Sequence, residues 1–446
     1  MKMDQPRYLA VKVLNRVYKG AYSNIELNNA LENHSMKHQD AGLLTQIVYG
    51  TLQHRLTLRY DLTPFVKRPK GLQQWVIILL ETALYQMIYL SRIPNYAILK
   101  ESIQIAKERG NQGARRLVTG VLHSVIRKGV PDVKKLPDKL TQLSVAYSVP
   151  TWLVKELINQ VGADKTLQIL QSINQPSSVS VRVNTVLTDV TAVKNSLTNE
   201  GYSVEDSSLA ENSLIVSGAS VAQSDEFKRG LITIQDQSAS LPVESMDIQP
   251  DEKVLDACAA PGGKTCQIAE RIDPKRGGLV YALDLHQNRL NRVKKNAKRL
   301  HVNHAVTTKM LDARKAGQFY STQSFDQILV DAPCSGLGLI RNKPEIRYFK
   351  SIDDVNRLHQ IQTQILASVA PLVKVNGTIT YSTCTILDQE NQDTIKAFLD
   401  HNDNFDVVKT TIKHSVHGQN QFKYLKLYPD DFKSDGFFVC TLKRVK

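Results

Sequence analysis

The chain has 446 residues, enough for roughly two to four domains, and 42% of them are hydrophobic, which excludes a disordered chain. Its formal net charge is +14, and the excess is concentrated: residues 1–140 carry 22 Lys and Arg against 10 Asp and Glu, whereas the remaining 306 residues carry a net of only +2. A basic first third is the electrostatic footprint of a polyanion partner, most often nucleic acid, although a solvated basic surface gives the same count.

The first 140 residues carry the apolar periods of amphipathic helices: Leu9, Val13 and Val17; Leu43, Ile47 and Val48; Leu80, Leu84, Met87 and Ile88; Leu117, Val121, Leu122 and Val125. Basic residues sit between them, among them Arg7, Lys12, Arg16 and Lys19, then Arg55, Arg59, Lys67, Arg68 and Lys70, then Arg115, Arg116, Arg127 and Lys128. An RNA-binding helical domain has this pattern, and so has a helical bundle with no ligand. Pro131, Pro137 and Pro150 mark 129–150 as a linker. A helix is expected over 151–161, a half-buried strand at 179–183 from its strict alternation, a helix at 190–201, and strands at 214–216 and 231–234. These form a small α+β module.

From about residue 236 strands alternate with helices, which predicts a doubly wound sheet. Strands are expected at 254–255, at 279–283 ending on Asp284, near Val306 leading to Asp312, at 328–330 ending on Asp331, and at 379–381 ending near Cys384. A basic helix carrying Arg289, Arg292, Lys294, Lys295, Lys298 and Arg299 follows the second, and 424–427 with 437–442 close the sheet as an antiparallel pair.

The stretch 254–265, VLDACAAPGGKT, reads as strand, small-residue loop and helix start. Ala259, Ala260, Gly262 and Gly263 let a ligand approach the backbone. A phosphate-binding loop, G-x-x-x-x-G-K-[ST], would need glycine where Cys258 stands, so the phosphate cradle is missing. An S-adenosylmethionine (SAM) loop needs small residues and no phosphate nest, and an ordinary tight strand-to-helix turn has the same composition. Asp284, about 20 residues on, is placed for ribose hydroxyls. Asp312 is a candidate for an adenine amino group.

The five cysteines are Cys258, Cys266, Cys334, Cys384 and Cys440, an odd number without a C-x-x-C pair, which argues against a disulfide framework and a structural zinc site. Cys258 and Cys266 read as small packing residues and Cys440 as core. Cys334 and Cys384 follow strand ends beside Pro and Ser/Thr, where a reactive thiol is the better reading. Two thiols with a SAM loop suit methylation of cytosine C5: a thiolate adds to C6, C5 attacks a methyl sulfonium, the C5 proton leaves, and the thiolate is expelled. Asp331 is placed to bind the Watson–Crick edge of the base, which must leave its stack. The N-terminus lacks the apolar core of a signal peptide and the run 75–80 is too short to span a bilayer, so a cytoplasmic protein without a membrane partner is expected.

DACAAPGGKT (256–265), DAPCSG (331–336) and YSTCT (381–385) together resemble the motifs of the RNA cytosine-C5 methyltransferases, and the layout resembles the bacterial 16S ribosomal RNA methyltransferases of the Sun/Fmu (RsmB) type. The resemblance implies a multidomain chain: an all-α domain like the antitermination factor NusB at 1–140, a small α+β middle module at 145–235, and an α/β Rossmann-like SAM-dependent methyltransferase domain at 236–446. It implies Cys384 as nucleophile and Cys334 as the group that assists product release; spacing alone does not choose between them. Both cysteines together favour RNA over DNA. It implies a SAM site lined by Cys258, Ala259, Ala260, Pro261, Gly262, Gly263 and Lys264 and completed by Asp284, Asp312 and Asp331, with 16S ribosomal RNA as partner, no metal, and a monomer. Two alternatives remain, a non-catalytic RNA-binding antitermination or assembly factor and a P-loop nucleotidase. The intact cysteines argue against the first and Cys258 against the second.

Overall fold

The computed structural model describes residues 5–66, 71–218, 220–412 and 423–446. The chain divides into two compact units, one reaching to Asn174 and including the segment Lys343–Phe349, the other comprising Gln175–Asn342 and Lys350–Lys446. No helix among the described residues is long and apolar enough to cross a membrane.

The first unit is helical: α1 Pro6–Val17, α2 Ser23–Asn33, α3 His38–Gln53, α4 Arg55–Leu62, α5 Gln74–Tyr89, α6 Asn95–Arg109, α7 Gln112–Lys128, α8 Lys139–Tyr147 and α9 Thr151–Ser172. The expected apolar periods form its core; Leu9, Val13, Val17, Ile47, Val48, Leu80, Leu84, Val121, Leu122 and Val125 are buried. Ile88 is the exception at 40% exposed, because it lies near the end of α5, two residues past its last buried residue, Gln86. The segment 129–150 is not a free linker. Asp132 caps a short 3-10 turn, Asp138 caps α8, and the hydroxyl of Thr57 on α4 donates to the Val145 carbonyl at 2.6 Å, so α8 packs on the helical core. By compactness the helices as far as Asn174 form one unit. Gly162 (φ 78°, ψ 171°) breaks α9 where the first helix was expected to stop, and a second helical stretch runs on to Ser172.

The basic residues of this unit are not one face. Arg7 is buried against the half-buried Glu101 at 2.8 Å and Gln86 at 2.6 Å, and Arg59 pairs with the buried Glu81 at 2.8 Å, so both neutralise carboxylates within the unit. Lys12, Lys19, Arg115, Arg116, Arg127 and Lys128 are exposed. Lys67, Arg68 and Lys70 lie outside the described residues. The Lys343–Phe349 segment completes the unit. Glu345 accepts hydrogen bonds from the backbone N–H of Ser23 at 3.0 Å and its hydroxyl at 2.9 Å. It thus serves the N-terminus of α2, which has no side-chain cap of its own. Arg347, fully buried, donates to Asn174 Oδ1 at 2.9 Å and to the Ser148 carbonyl at 3.3 Å.

The second unit holds two sheets. The smaller is antiparallel, in the order β2-β3-β1-β4, from β1 Val179–Val183, β2 Ser203–Asp206, β3 Ser213–Ser217 and β4 Ile232–Ile234. β1 was expected to be half-buried from its alternation. Instead, past an exposed Val179, Ser180 and Arg182 are buried as well as Val181 and Val183, because Arg182 forms an ion pair with Glu270 and Ser180 donates to the Gln235 carbonyl at 3.0 Å. A paired arginine occupies what looked like a solvent-facing position.

The larger sheet runs β10-β12-β9-β8-β5-β6-β7, with β5 Lys253–Asp256, β6 Leu279–Asp284, β7 Val306–Met310, β8 Phe325–Asp331, β9 Val373–Thr383, β10 Phe405–Val408 and β12 Phe437–Arg444; β11 Leu425–Leu427 pairs with β12. The five strands from β9 to β7 are parallel, and β12 is antiparallel to both β9 and β10. The chain winds outward from β5 through β6 to β7, then returns to β8 and proceeds to β9. The topological switch point thus lies at the carboxyl ends of β5 and β8, where such sheets bind ligands.

Candidate active site

The loop leaving β5 sits at this switch point. Its base is Asp256, 1% exposed, whose Oδ2 accepts the Thr265 hydroxyl at 2.7 Å. Burial pushes its carboxyl up to about 7. The Ala259 N–H donates to the Leu283 carbonyl at 2.8 Å, tying the loop to β6. Gly262 has φ 105°, and a Cβ there would lie 2.9 Å from the Val293 Cα, so the backbone conformation and the packing both require glycine. Asn296 Nδ2 donates to the Pro261 carbonyl at 2.9 Å. Cys258 lines the loop half-buried, and burial pushes its thiol well above the usual range.

The expected acids lie at or just past neighbouring strand ends. Asp284 ends β6, and its Oδ1 accepts the His286 N–H at 2.9 Å. Asp312 follows β7 and is held in the fork of Arg314 at 2.7 and 3.1 Å, which draws its carboxyl below the usual range. Asp331 ends β8. Its Oδ2 receives Lys264 Nζ at 2.8 Å and its Oδ1 the Ser382 hydroxyl at 2.8 Å. Lys264 therefore joins the glycine loop to the acid of the cysteine motif.

Cys334 and Cys384 are 50 residues apart in sequence, and their sulfurs lie 3.3 Å apart. The parallel pairing of β8 with β9 causes this, since Asp331 aligns with Ser382 and Cys334 and Cys384 follow these partners by three and two residues. Their mutual hydrogen bond, followed by burial, pushes the Cys334 thiol well above the usual range. The Gly338 N–H donates to the Cys384 carbonyl at 2.9 Å, fixing the start of the loop after β9. Cys266 and Cys440 are fully buried, and burial raises each to about 12, in keeping with core thiols.

The sequence reading did not single out Asp256, Ser382, Gly338 or Glu390 as site residues. Asp256 and Ser382 lie inside the quoted motifs and were within reach. Glu390, in a short turn past β9, is fully buried and accepts the Ser335 N–H at 2.8 Å.

The doubly wound sheet, with a small-residue loop at its switch point and carboxylates on adjacent strand ends, defines the class: a Rossmann-like methyltransferase domain, here in a chain that also carries a helical domain. Residues 243–443 match the family described as 16S rRNA methyltransferase RsmB/F, residues 4–127 the NusB family, and residues 149–222 the ferredoxin-like domain of RsmF/B-like methyltransferases. The chain is similar to a Bacillus subtilis protein named probable ribosomal RNA small subunit methyltransferase B, at 40% identity over 100% of both chains. It is also similar to the Yersinia enterocolitica ribosomal RNA small subunit methyltransferase B, at 32% identity over 98% of each. The crystal structure of a protein called PH0851 superposes with a TM-score of 0.86 at 26% identity, covering 100% of this chain and 99% of that one. The chain belongs to the RsmB/F family of 16S ribosomal RNA methyltransferases.

Proposed function

We propose that this rRNA methyltransferase acts on C5 of a cytosine in 16S ribosomal RNA, in the cytoplasm, through a covalent adduct between Cys384 and C6 of the base, with SAM as methyl donor. The observation that carries the reading is the 3.3 Å approach of Cys334 and Cys384 beside Asp331. The donor set suits SAM: the small-residue backbone from Cys258 through Ala259, Ala260, Pro261, Gly262 and Gly263, with Lys264 and the carboxylates of Asp284, Asp312 and Asp331, matches hydroxyls, an exocyclic amine and an ammonium group but no phosphate. When bound, SAM supplies an electrophilic methyl group to C5.

The protein's own residues do the rest. Asp331, oriented by Lys264 and Ser382, accepts hydrogen bonds from the edge of a flipped cytosine. The Cys384 thiolate forms the S–C6 bond, which moves an electron pair to C5. After methylation the C5 proton passes to a base, its bonding pair re-forms the C5–C6 double bond, and the S–C6 pair leaves on the Cys384 sulfur. Cys334 stays protonated, since its thiol lies well above the usual range, and hydrogen-bonds to the departing Cys384 sulfur. Residues 1–140 would contribute RNA contacts, 145–235 would form the middle module, and 236–446 would perform catalysis. Cys334→Ala should let an RNA adduct accumulate as a denaturant-resistant, slowly migrating band that disappears when Cys384 is also replaced. A fully active Cys334→Ala enzyme with no such band would refute the assignment.

A further inference from the structure

Glu390 is fully buried and stands outside the chemistry described above. Its Oε1 accepts the Ser335 backbone N–H at 2.8 Å and Gln362 Nε2 at 3.2 Å. Its Oε2 accepts the Ser335 hydroxyl at 2.5 Å and the Thr385 hydroxyl at 3.1 Å. Ser335 follows Cys334 and Thr385 follows Cys384, so one carboxylate grips both cysteine loops. The two hydroxyls are also 2.8 Å from each other. Gln362 donates a second bond to the Pro333 carbonyl at 3.0 Å, on the other side of Cys334. The turn that carries Glu390 is itself anchored to β9: the Tyr381 hydroxyl donates to the Glu390 carbonyl at 2.7 Å, and Asn391 Nδ2 to the Thr385 carbonyl at 3.2 Å.

We propose that Glu390 is a positioning residue that sets the spacing of Cys334 and Cys384 by holding the loops after β8 and β9 on a single buried carboxylate. A carboxylate has two oxygens and about four acceptor sites, and here four neutral donors converge on them. A glutamine of the same shape keeps only one acceptor oxygen and turns an N–H₂ towards donors, in a site where an unmet donor is costly. Strand pairing alone fixes Asp331 against Ser382. Beyond Asp331 and Thr383 the two chains leave the sheet, and the Glu390 contacts, together with the Gly338 N–H to Cys384 carbonyl bond, keep the loops in register.

This inference rests on the proposed reading of the two cysteines as a working pair, and its test does not need methylation. In full-length protein without RNA, diamide should convert the pair to a disulfide: each thiol gives up one proton and one electron, and the diazene is reduced to the hydrazine. The Cys334–Cys384 cross-link would be read by peptide mapping. Glu390→Gln should slow its formation by about tenfold or more, the cost of losing a charge-assisted hydrogen bond, while the buried Cys266 and Cys440 stay protected from alkylation, which shows that the unit is folded. Ser335→Ala and Thr385→Val each remove one side-chain donor and should slow cross-linking less; they keep the test available if Glu390→Gln fails to fold. Cross-linking at the wild-type rate in folded Glu390→Gln, or in both single-donor variants, would overturn the proposal. Methyl transfer is measured beside it. A fall in kcat with SAM affinity unchanged is expected. Slowed cross-linking with full kcat would leave Glu390 as the spacer and instead refute the catalytic reading of the cysteines.

Discussion

Gly338→Ala tests how the Cys384 loop is held. Gly338 does not need glycine for its own backbone angles; its neighbours need the space. An added Cβ would lie 2.0 Å from the Gly436 carbonyl oxygen and 2.8 Å from that of Cys384. Both obstacles are backbone, so no rotamer change relieves them. The chains must part by about an ångström, stretching the bonds Gly338 N–H to Cys384 O and Gly436 N–H to Gly338 O, both now 2.9 Å. Two such bonds at about 1 kcal/mol each, with about 1–3 kcal/mol for overpacking, give a destabilisation of about 3–5 kcal/mol. A shift of about 1 Å in Cys384 would lower methyl transfer about 100-fold. Both tryptophans, Trp75 and Trp152, lie in the helical unit and all five cysteines in the other, so fluorescence and pulsed thiol labelling in urea report the two units separately. Labelling of Cys266 and Cys440 should move to lower urea. Gly120→Ala, inside α7 with nothing within 4 Å of the new Cβ, should instead stabilise the fluorescence transition by about 0.5–1 kcal/mol. Unchanged thiol protection and unchanged transfer in Gly338→Ala would refute the reasoning.

Asp256 predicts a pH effect. Its carboxyl titrates at about 7 when folded against an ordinary 3.8, so between these values the folded state keeps a proton that the unfolded chain has released. The second unit should therefore lose stability as pH rises from about 4 to about 7, and Asp256→Asn should flatten that decline; equal slopes in both proteins would contradict it. Glu345→Ala leaves the two Ser23 donors at the start of α2 without their acceptor and should lower the stability of the helical unit by about 2–4 kcal/mol, read by tryptophan fluorescence. An unchanged transition would show that the cap contributes nothing. RNA affinity should fall steeply with salt, and Arg115→Ala with Arg116→Ala should reduce the logarithmic slope by about 1–2. An unaltered slope would move the phosphate contacts elsewhere.

What could be read from the sequence was whatever has a local signature. The β5 loop was legible because its small residues, the preceding buried strand and the following Lys-Thr lie within 12 residues. The parallel strands were legible as short apolar runs ending in Asp or followed by Cys. The 3.3 Å cysteine contact was not, because it depends on the register of β8 with β9 across 50 residues. Glu390 carried no signal, since its burial comes from donors on three other segments. Arg182 and Arg7 were misleading for a related reason: each looks like a solvent-facing or RNA-facing charge until Glu270 and Glu101 come up to it. The assignment of Lys343–Phe349 to the helical unit, nearly 170 residues after that unit otherwise ends, has no local mark at all.

The most direct test is methyl transfer from labelled SAM to unmodified small-subunit ribosomal RNA, with transfer RNA and DNA as parallel substrates and Cys384→Ala as the control. The account predicts label on C5 of a cytosine in the ribosomal RNA, reduced by about four orders of magnitude or more in Cys384→Ala, with SAM bound equally by both proteins. Label retained in Cys384→Ala would contradict the nucleophile assignment, and label on any position other than cytosine C5 would contradict the reaction itself.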